Sequence, residues 1–313
     1  MVDATHSASG SGLAERRRHV RHLDKQDFSP EQEEAFNQFL DDYVDALTPI
    51  EEDLDEWLRN ASEEDLESLE SIQNDLRQLI EEGGYVDDFE EVFQEGGERA
   101  TQAGRRLASR RYNLGLDPFD VVPDRALEVI DDWVDEAAGS TLETIDENAS
   151  RWLRGAHEDG LSIPEIQEHI NDELYDSRLE GYVAERAART GTNSTSNLGV
   201  HSSFQESDMV VGEEWIAIGD RRTRDDHNQA NGQIVAVATP FIVGGEKLDY
   251  PGDPSGSLQQ IVNCRCTMVP VFEDDLSDDE LEAIEGGGRI RKASVDETVK
   301  LAADGTVEPL AAG

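Results

Sequence analysis

Between Phe36 and Trp57 the apolar residues Phe36, Leu40, Tyr43, Leu47, Ile50, Leu54 and Trp57 recur in alternating steps of four and three. Only an α-helix gathers such a series onto one stripe, and a stripe of that width is a seam for packing against other helices. The chain is thereby committed to a helical opening. Thr48-Pro49-Ile50-Glu51 reads as an N-cap, a proline at the first helical position and an acid behind it, so a kink or a fresh start is expected there. Ser62 with Asp65 caps a second stretch through Leu66, Leu69, Ile72, Leu76 and Leu79, which Gly83-Gly84 closes, and a third helix is expected over about 86–112. Pro118 and Pro123 mark a linker. Beyond it, Ala126 to Val134 and Leu142 to Leu153 carry the apolar spacing of two more helices, Gly160-Leu161-Ser162-Ile163-Pro164-Glu165 starts another, and a last one covers about 177–189.

After Thr190 the texture changes to Gly, Asn, Ser and Thr with short β-like runs at 214–218, 233–237, 241–243 and 267–272. Runs so short make a compact module and not a large sheet. The fold class is α+β: a mostly helical N-terminal region followed by a small loop-rich α+β C-terminal module. The expected boundaries are a flexible arm over 1–28, the helical region over 29–190, the module over 191–272, and an acidic, Gly-rich tail over 273–313, extended or disordered.

Acidic residues number 71 against 27 basic ones, a formal charge of −44, and only four of the basic residues are lysines. The acids are spread over every expected helix, where a DNA mimic would concentrate them in a block. This is the pattern of a surface adapted to molar salt, where the Debye length is about 3 Å and self-repulsion is screened. With 36% hydrophobic residues the chain can still bury a core, so disorder throughout is excluded. No apolar run approaches the ~20 residues of a membrane helix, and the polar N-terminus is expected to lack a signal peptide. Two basic clusters stand out, Arg16, Arg17, Arg18 and Arg21 in the arm, and Arg105, Arg106, Arg110 and Arg111 at the end of the third helix. The second cluster sits where cations complement the helix dipole, and Arg105 and Arg106 are also candidates for a partner contact. Phe36, Leu40, Tyr43 and Leu47 are what a partner helix would use, if the seam is not consumed by an intramolecular bundle.

Polar density is highest in Asp220-Arg221-Arg222-Thr223-Arg224-Asp225-Asp226-His227, in Asn231-Gly232, and in Asn263-Cys264-Arg265-Cys266. His227, Cys264 and Cys266 supply three ligands of a tetrahedral zinc site, with a fourth position open or filled by His201, Asp220 or Asp226. The alternatives are buried packing thiols beside a loop histidine, or a strained disulfide between near neighbours. Arg222 and Arg265 each present a fork that holds a carboxylate such as Asp220 bidentately, stapling two loops together. Zinc is the one cofactor for which the sequence offers ligands, and none is demanded.

The order of these elements carries a resemblance. Ser162-Ile163-Pro164-Glu165, Ala187-Ala188-Arg189-Thr190, Trp215, Asp220-x-Arg222-Thr223-Arg224-x-x-His227, Asn231-Gly232, Pro251-Gly252 and Asn263-Cys264-Arg265-Cys266 together resemble the Mu-F-type head-morphogenesis family, over about residues 140–272. These are minor head (minor capsid) proteins of tailed phages. Two departures are present: Gly191 follows Thr190 where family members commonly carry an acid, and Arg224 and His227 stand where many carry cysteines.

The resemblance implies a structural component of the virion, at the portal vertex in the capsid interior and in the host cytoplasm during assembly. Its partners would be the portal protein and the major capsid protein, with several copies around the portal ring. Packaged DNA would lie nearby without sequence-specific binding, because a charge of −44 repels phosphate and molar salt weakens local arginine contacts. With the acidic surface, the implied source is a tailed virus of halophilic archaea. The competing class is a virion-associated enzyme, metal-dependent or using His227. Against it, the chain has no Gly-rich phosphate loop, no His-Glu-x-x-His and no Gly-x-Ser-x-Gly.

Overall fold

A computed structural model describes residues 28–62, 64–66, 68–116, 121–237, 239–294, 297–301 and 307–309. The arm with Arg16, Arg17, Arg18 and Arg21 lies outside the described residues. The helices are α1 (Pro30–Asn60), α2 (Leu69–Gly83), α3 (Val86–Tyr112), α4 (Asp124–Glu158), α5 (Ile163–Ile170), a π-helical segment (Asn171–Val183) and α6 (Ala184–Glu206). There follow β1 (Val210–Ile216), α7 (Asp225–Ala230), β2 (Gln233–Ala236), β3 (Phe241–Val243), β4 (Glu246–Leu248), α8 (Leu258–Ile261), β5 (Thr267–Phe272), α9 (Asp278–Glu285), β6 (Arg289–Ser294), β7 (Glu297–Leu301) and β8 (Val307–Pro309). The α+β class is as expected, with helices dominating the first two thirds.

Chain contacts gather into two units, one from 37–92 and 136–188, the other from 28–36, 93–135 and 189 onward. The second unit therefore does not start at residue 191 as the change in composition implies.

In the first unit Leu40, Tyr43, Leu47, Ile50 and Leu54 are buried along α1, and Leu58, not Trp57, continues the stripe. The shift by one residue is the drift of a 3.6-residue period against a 3.5-residue one. α1 runs through Pro49 without restarting, giving up a single backbone bond. Ile50 and Leu54 of the stripe line one small cavity with Leu76 of α2, Ile145 and Ala149 of α4, and Tyr175, and Ile72, Phe89 and Leu153 are buried in the same unit. Tyr43 meets Phe89 edge-on at 5.0 Å, and the Tyr175 hydroxyl donates to Asp55 Oδ1 at 3.0 Å. Ser62 and Asp65 do bond each other, Ser62 Oγ to Asp65 Oδ2 at 2.8 Å. The helix begins only after a second cap, where Ser68 Oγ accepts from Ser71 N at 3.0 Å. The two helices expected after Pro123 are one: Ala138, Thr141 and Leu142 are buried across the Gly139-Ser140 gap and keep the ladder continuous.

The second unit is organised around α6. The segment 191–206 is helical, not loop, although Gly, Ser, Thr and Asn each cost helix stability, about 0.5–1 kcal/mol relative to Ala. Packing explains the exception. A Cβ on Gly104 of α3 would stand 1.9 Å from the Ser196 carbonyl oxygen, and one on Gly199 would stand 2.0 Å from that of Thr101. The small residues thus let two helix backbones touch. Thr101 Oγ1 donates to the Thr195 carbonyl at 3.0 Å, Gln32 Nε2 donates to Ser196 Oγ at 2.7 Å, and Ala35 packs between Ala100 and Ala103.

The sheet is antiparallel throughout, in the order β5-β1-β2-β6-β7-β8, with β3-β4 a separate hairpin. β1 and β5 pair Trp215 with Met268 and Glu213 with Pro270. The expected tail is overturned: β6 pairs with β2 inside the sheet and α9 packs beside it, burying Ile284 and Ile290 against Ile234 and Val271. Ser277 caps α9 in a capping box with Glu280, a start signal hidden by the acidity of the segment.

Candidate functional site

The polar cluster of the second unit grows from three connections. Leaving β1, the chain turns at Asp220, whose Oδ1 accepts from Arg222 N at 3.0 Å and Thr223 Oγ1 at 3.1 Å. That turn aims the chain into α7, which carries His227. At the exit of α7, Asn231 Oδ1 accepts from Ala217 N at 2.9 Å, and Gly232, at φ 77°, donates its N–H to the Trp215 carbonyl at 2.8 Å. Asn231 and Gly232 hence fix the return into β2 and touch no ligand atom of the cluster. The third connection is 262–266, where Asn263 adopts φ 54° and its N–H donates to Thr190 Oγ1 at 3.1 Å.

After the left-handed residue Asn263, Cys264 and Cys266 are both buried, the two-residue alternation of extended backbone, while Arg265 between them reaches across to Asp220. Arg265 forks onto Asp220, Nη1 to Oδ2 at 2.9 Å and Nη2 to Oδ1 at 2.5 Å, and this guanidinium holds the Asp220 carboxyl well below the usual carboxylate range. Arg222 is largely exposed, its Nε 3.5 Å from the same carboxylate. Arg224 instead donates to the Val262 carbonyl. Two loops are therefore tied by Arg265 and Arg224.

Inside this tie lie His227, Cys264 and Cys266, all buried. Their ligand atoms are within 4.8 Å of one another, with His227 Nδ1 3.3 Å from Cys266 Sγ and 3.7 Å from Cys264 Sγ. Both thiols are free, so no disulfide joins them. His227 Nε2 donates to Gln260 Oε1 at 3.1 Å, and Gln260 Nε2 donates to Asp226 Oδ2 at 3.3 Å. This relay fixes the imidazole tautomer, leaving the Nδ1 lone pair on the sulfur side. Contact with Cys266, outweighing burial, lowers the Cys264 thiol, while Cys264 and burial push Cys266 up. One thiolate of the pair thus forms ahead of the other. Trp215 stands edge-on to His227 at 5.8 Å and closes the floor. The cleft lined by Ile218, Thr223, Arg224 and Asn263 leads to the triad and has room for about one water.

None of the expected fourth ligands reaches the triad. Asp220 belongs to Arg265, Asp226 to Gln260, and His201 to Glu213, with His201 Nδ1 at 2.8 Å from Glu213 Oε1. The partner surfaces are also corrected: Phe36, Leu40, Tyr43 and Leu47 are buried within the chain. Arg105 is buried and bidentate on Glu206 at 3.1 and 2.9 Å, and Arg106 is half-buried beside it.

Sequence reasoning missed Gln260 and Asn197. Asn197 Nδ2 donates to the carbonyls of Pro251 and Cys266, both at 2.9 Å, and Thr267 Oγ1 donates to Asn197 Oδ1 at 3.1 Å. The only signal for Asn197 was its place in a polar run that proved helical.

Residues 150–269 match the family model described as Phage Mu protein F like protein. The chain is 29% identical over 212 residues to "Uncharacterized protein YqbB" of Bacillus subtilis (strain 168), covering 64% of this chain and 68% of that protein. It is 30% identical over 118 residues to "NAD(+)--arginine ADP-ribosyltransferase EFV" of Enterococcus faecalis (strain ATCC 700802 / V583), covering 37% of this chain and 23% of that protein. No solved structure matches. The matched family segment contains the entire Asp220–Arg265 tie and the triad.

Proposed function

We propose that this chain is a minor structural component of a tailed-virus head, acting at the portal on the capsid interior in head assembly and in genome packaging or delivery. The observation that carries the reading is the coincidence of the family match with a polar knot whose side chains bind one another across two loops. Of the residues bearing the resemblance, Asp220 is held by Arg265, His227 lies against Cys264 and Cys266, the Asn263 N–H donates to Thr190, and the cleft above them admits about one water. That arrangement holds a fold; a substrate would need a far larger pocket. The ADP-ribosyltransferase aligns over less than a quarter of its own length, so its named activity is not carried to this chain. No described helix is long and apolar enough to cross a membrane.

Its partners in this reading are the portal and major capsid proteins, with packaged DNA as a neighbour. The excess of 71 acids over 27 basic residues supports a salt-adapted host. Docking does not use the α1 seam, which is consumed internally. Zero-length cross-linking of carboxylates to amines in purified heads, followed by peptide mass spectrometry, tests the placement. Links from this chain to portal peptides are expected; links confined to shell proteins would refute the portal location.

A further inference from the structure

We propose that His227 Nδ1 and the Cys264 and Cys266 thiolates bind one Zn²⁺ ion as a structural centre of the second unit, with a single water as fourth ligand. The inference stands apart from the head assignment and rests on four observations.

Ligand atoms around a tetrahedral ion at Zn–S and Zn–N bond lengths lie about 3.5–3.8 Å apart. His227 Nδ1 already stands 3.3 and 3.7 Å from the two sulfurs, and all three ligand atoms lie within 4.8 Å of one another, so the imidazole is already at bonding separation from both sulfurs. The ring is also oriented as a ligand. Its Nε2 proton is committed to Gln260, and Gln260 is itself held by Asp226, the outer-shell arrangement that fixes a metal-binding imidazole. A merely packed histidine has no need of that second link.

Two thiolates and an imidazole are soft donors that favour Zn²⁺ over Mg²⁺ or Ca²⁺. Their charges cancel those of the ion, which answers the cost of burying two sulfur anions. Finally, the space for about one water completes the coordination and leaves no room for a substrate. The ion would join α7 to the 262–266 connection, 37 residues apart at His227 and Cys264, and so supply folding energy to the unit.

The test uses the full chain, purified under reducing conditions, stripped of metal and titrated with Co²⁺ and then Zn²⁺. One equivalent of Co²⁺ is expected to give thiolate-to-cobalt charge-transfer absorption and the d–d intensity of a four-coordinate ion, and Zn²⁺ is expected to abolish both. Gln260→Leu, which keeps all three ligands, is expected to weaken binding about 10- to 100-fold. Absence of the charge-transfer band in the unaltered chain would overturn the proposal. So would a band that survives Cys264→Ser with Cys266→Ser, or a Cys264–Cys266 disulfide in protein isolated from its native source.

Discussion

Gly104 and Gly199 show how single positions set the second unit. Each lies against a backbone carbonyl of the opposite helix, so neither neighbour can yield by rotating a side chain. Gly104→Ala is expected to cost about 3 kcal/mol of stability, read as a lowered denaturation midpoint with unchanged slope. The buried pair His201 and Glu213 gives a second prediction. Burial opposes charge on His201, but the Glu213 carboxylate outweighs it and Asp249 adds to the effect against Arg125, so the imidazole pKa is raised. Burial also raises Glu213, with His201 opposing. Both groups hold protons more tightly folded than unfolded, so their stabilisation is present below the unfolded values and is lost as pH rises through the folded ones. Denaturation midpoints measured from about pH 5 to about pH 9 should fall with pH in the native chain and fall less in the double variant His201→Gln with Glu213→Gln, which removes both titrating groups. At this scale the sequence made His227, Cys264, Cys266 and the Asp220–Arg265 tie legible, because unusual residue types sat at short spacings. Gln260, Asn197 and Glu213 were not legible. Their roles depend on which strand or helix lies opposite, and no local spacing encodes that.

Among the elements, α1 to α3 could be read from apolar periodicity because a helix burying one stripe writes its period into the chain. α6 could not, because its segment from 191 onward buries Ser, Thr, Asn and Gly in place of a stripe. Its signal was the small residues Gly191, Thr195, Gly199 and Ser203 at every fourth position, a close-approach pattern easily mistaken for loop composition. The apolar spacing breaks α4 at Gly139-Ser140 and the composition of α9 and β6 reads as tail, in each case because local polarity masks a face that distant residues bury. The α3 contact has a consequence for dissection. Thr101, Gly104 and Arg105 contact Thr195, Ser196 and Glu206, so a fragment of residues 113–313 lacks half of the helix pair. It is expected to show no cooperative unfolding transition, whereas the full chain should show one; cooperative melting of that fragment would contradict the assigned packing.

A charge of −44 coexists with buried apolar clusters because most of the described acids occupy solvated faces, a few such as Glu180 and Glu213 being buried. Repulsion among them is expected to weaken the fold in dilute buffer and to be screened at molar salt. The match to the Phage Mu protein F like family model covers 150–269, and in that stretch Arg265 ties its loop to Asp220 and Arg224 ties its own to Val262. In the proposed reading function resides in where the chain is built into a particle, and counting it there is the direct test. Quantitative mass spectrometry of purified full virions and emptied heads should find this chain at low copy number, in fixed ratio to the portal protein and retained in both. Its absence from virions would contradict a structural head component, and its loss from emptied heads would show a protein that leaves with the genome.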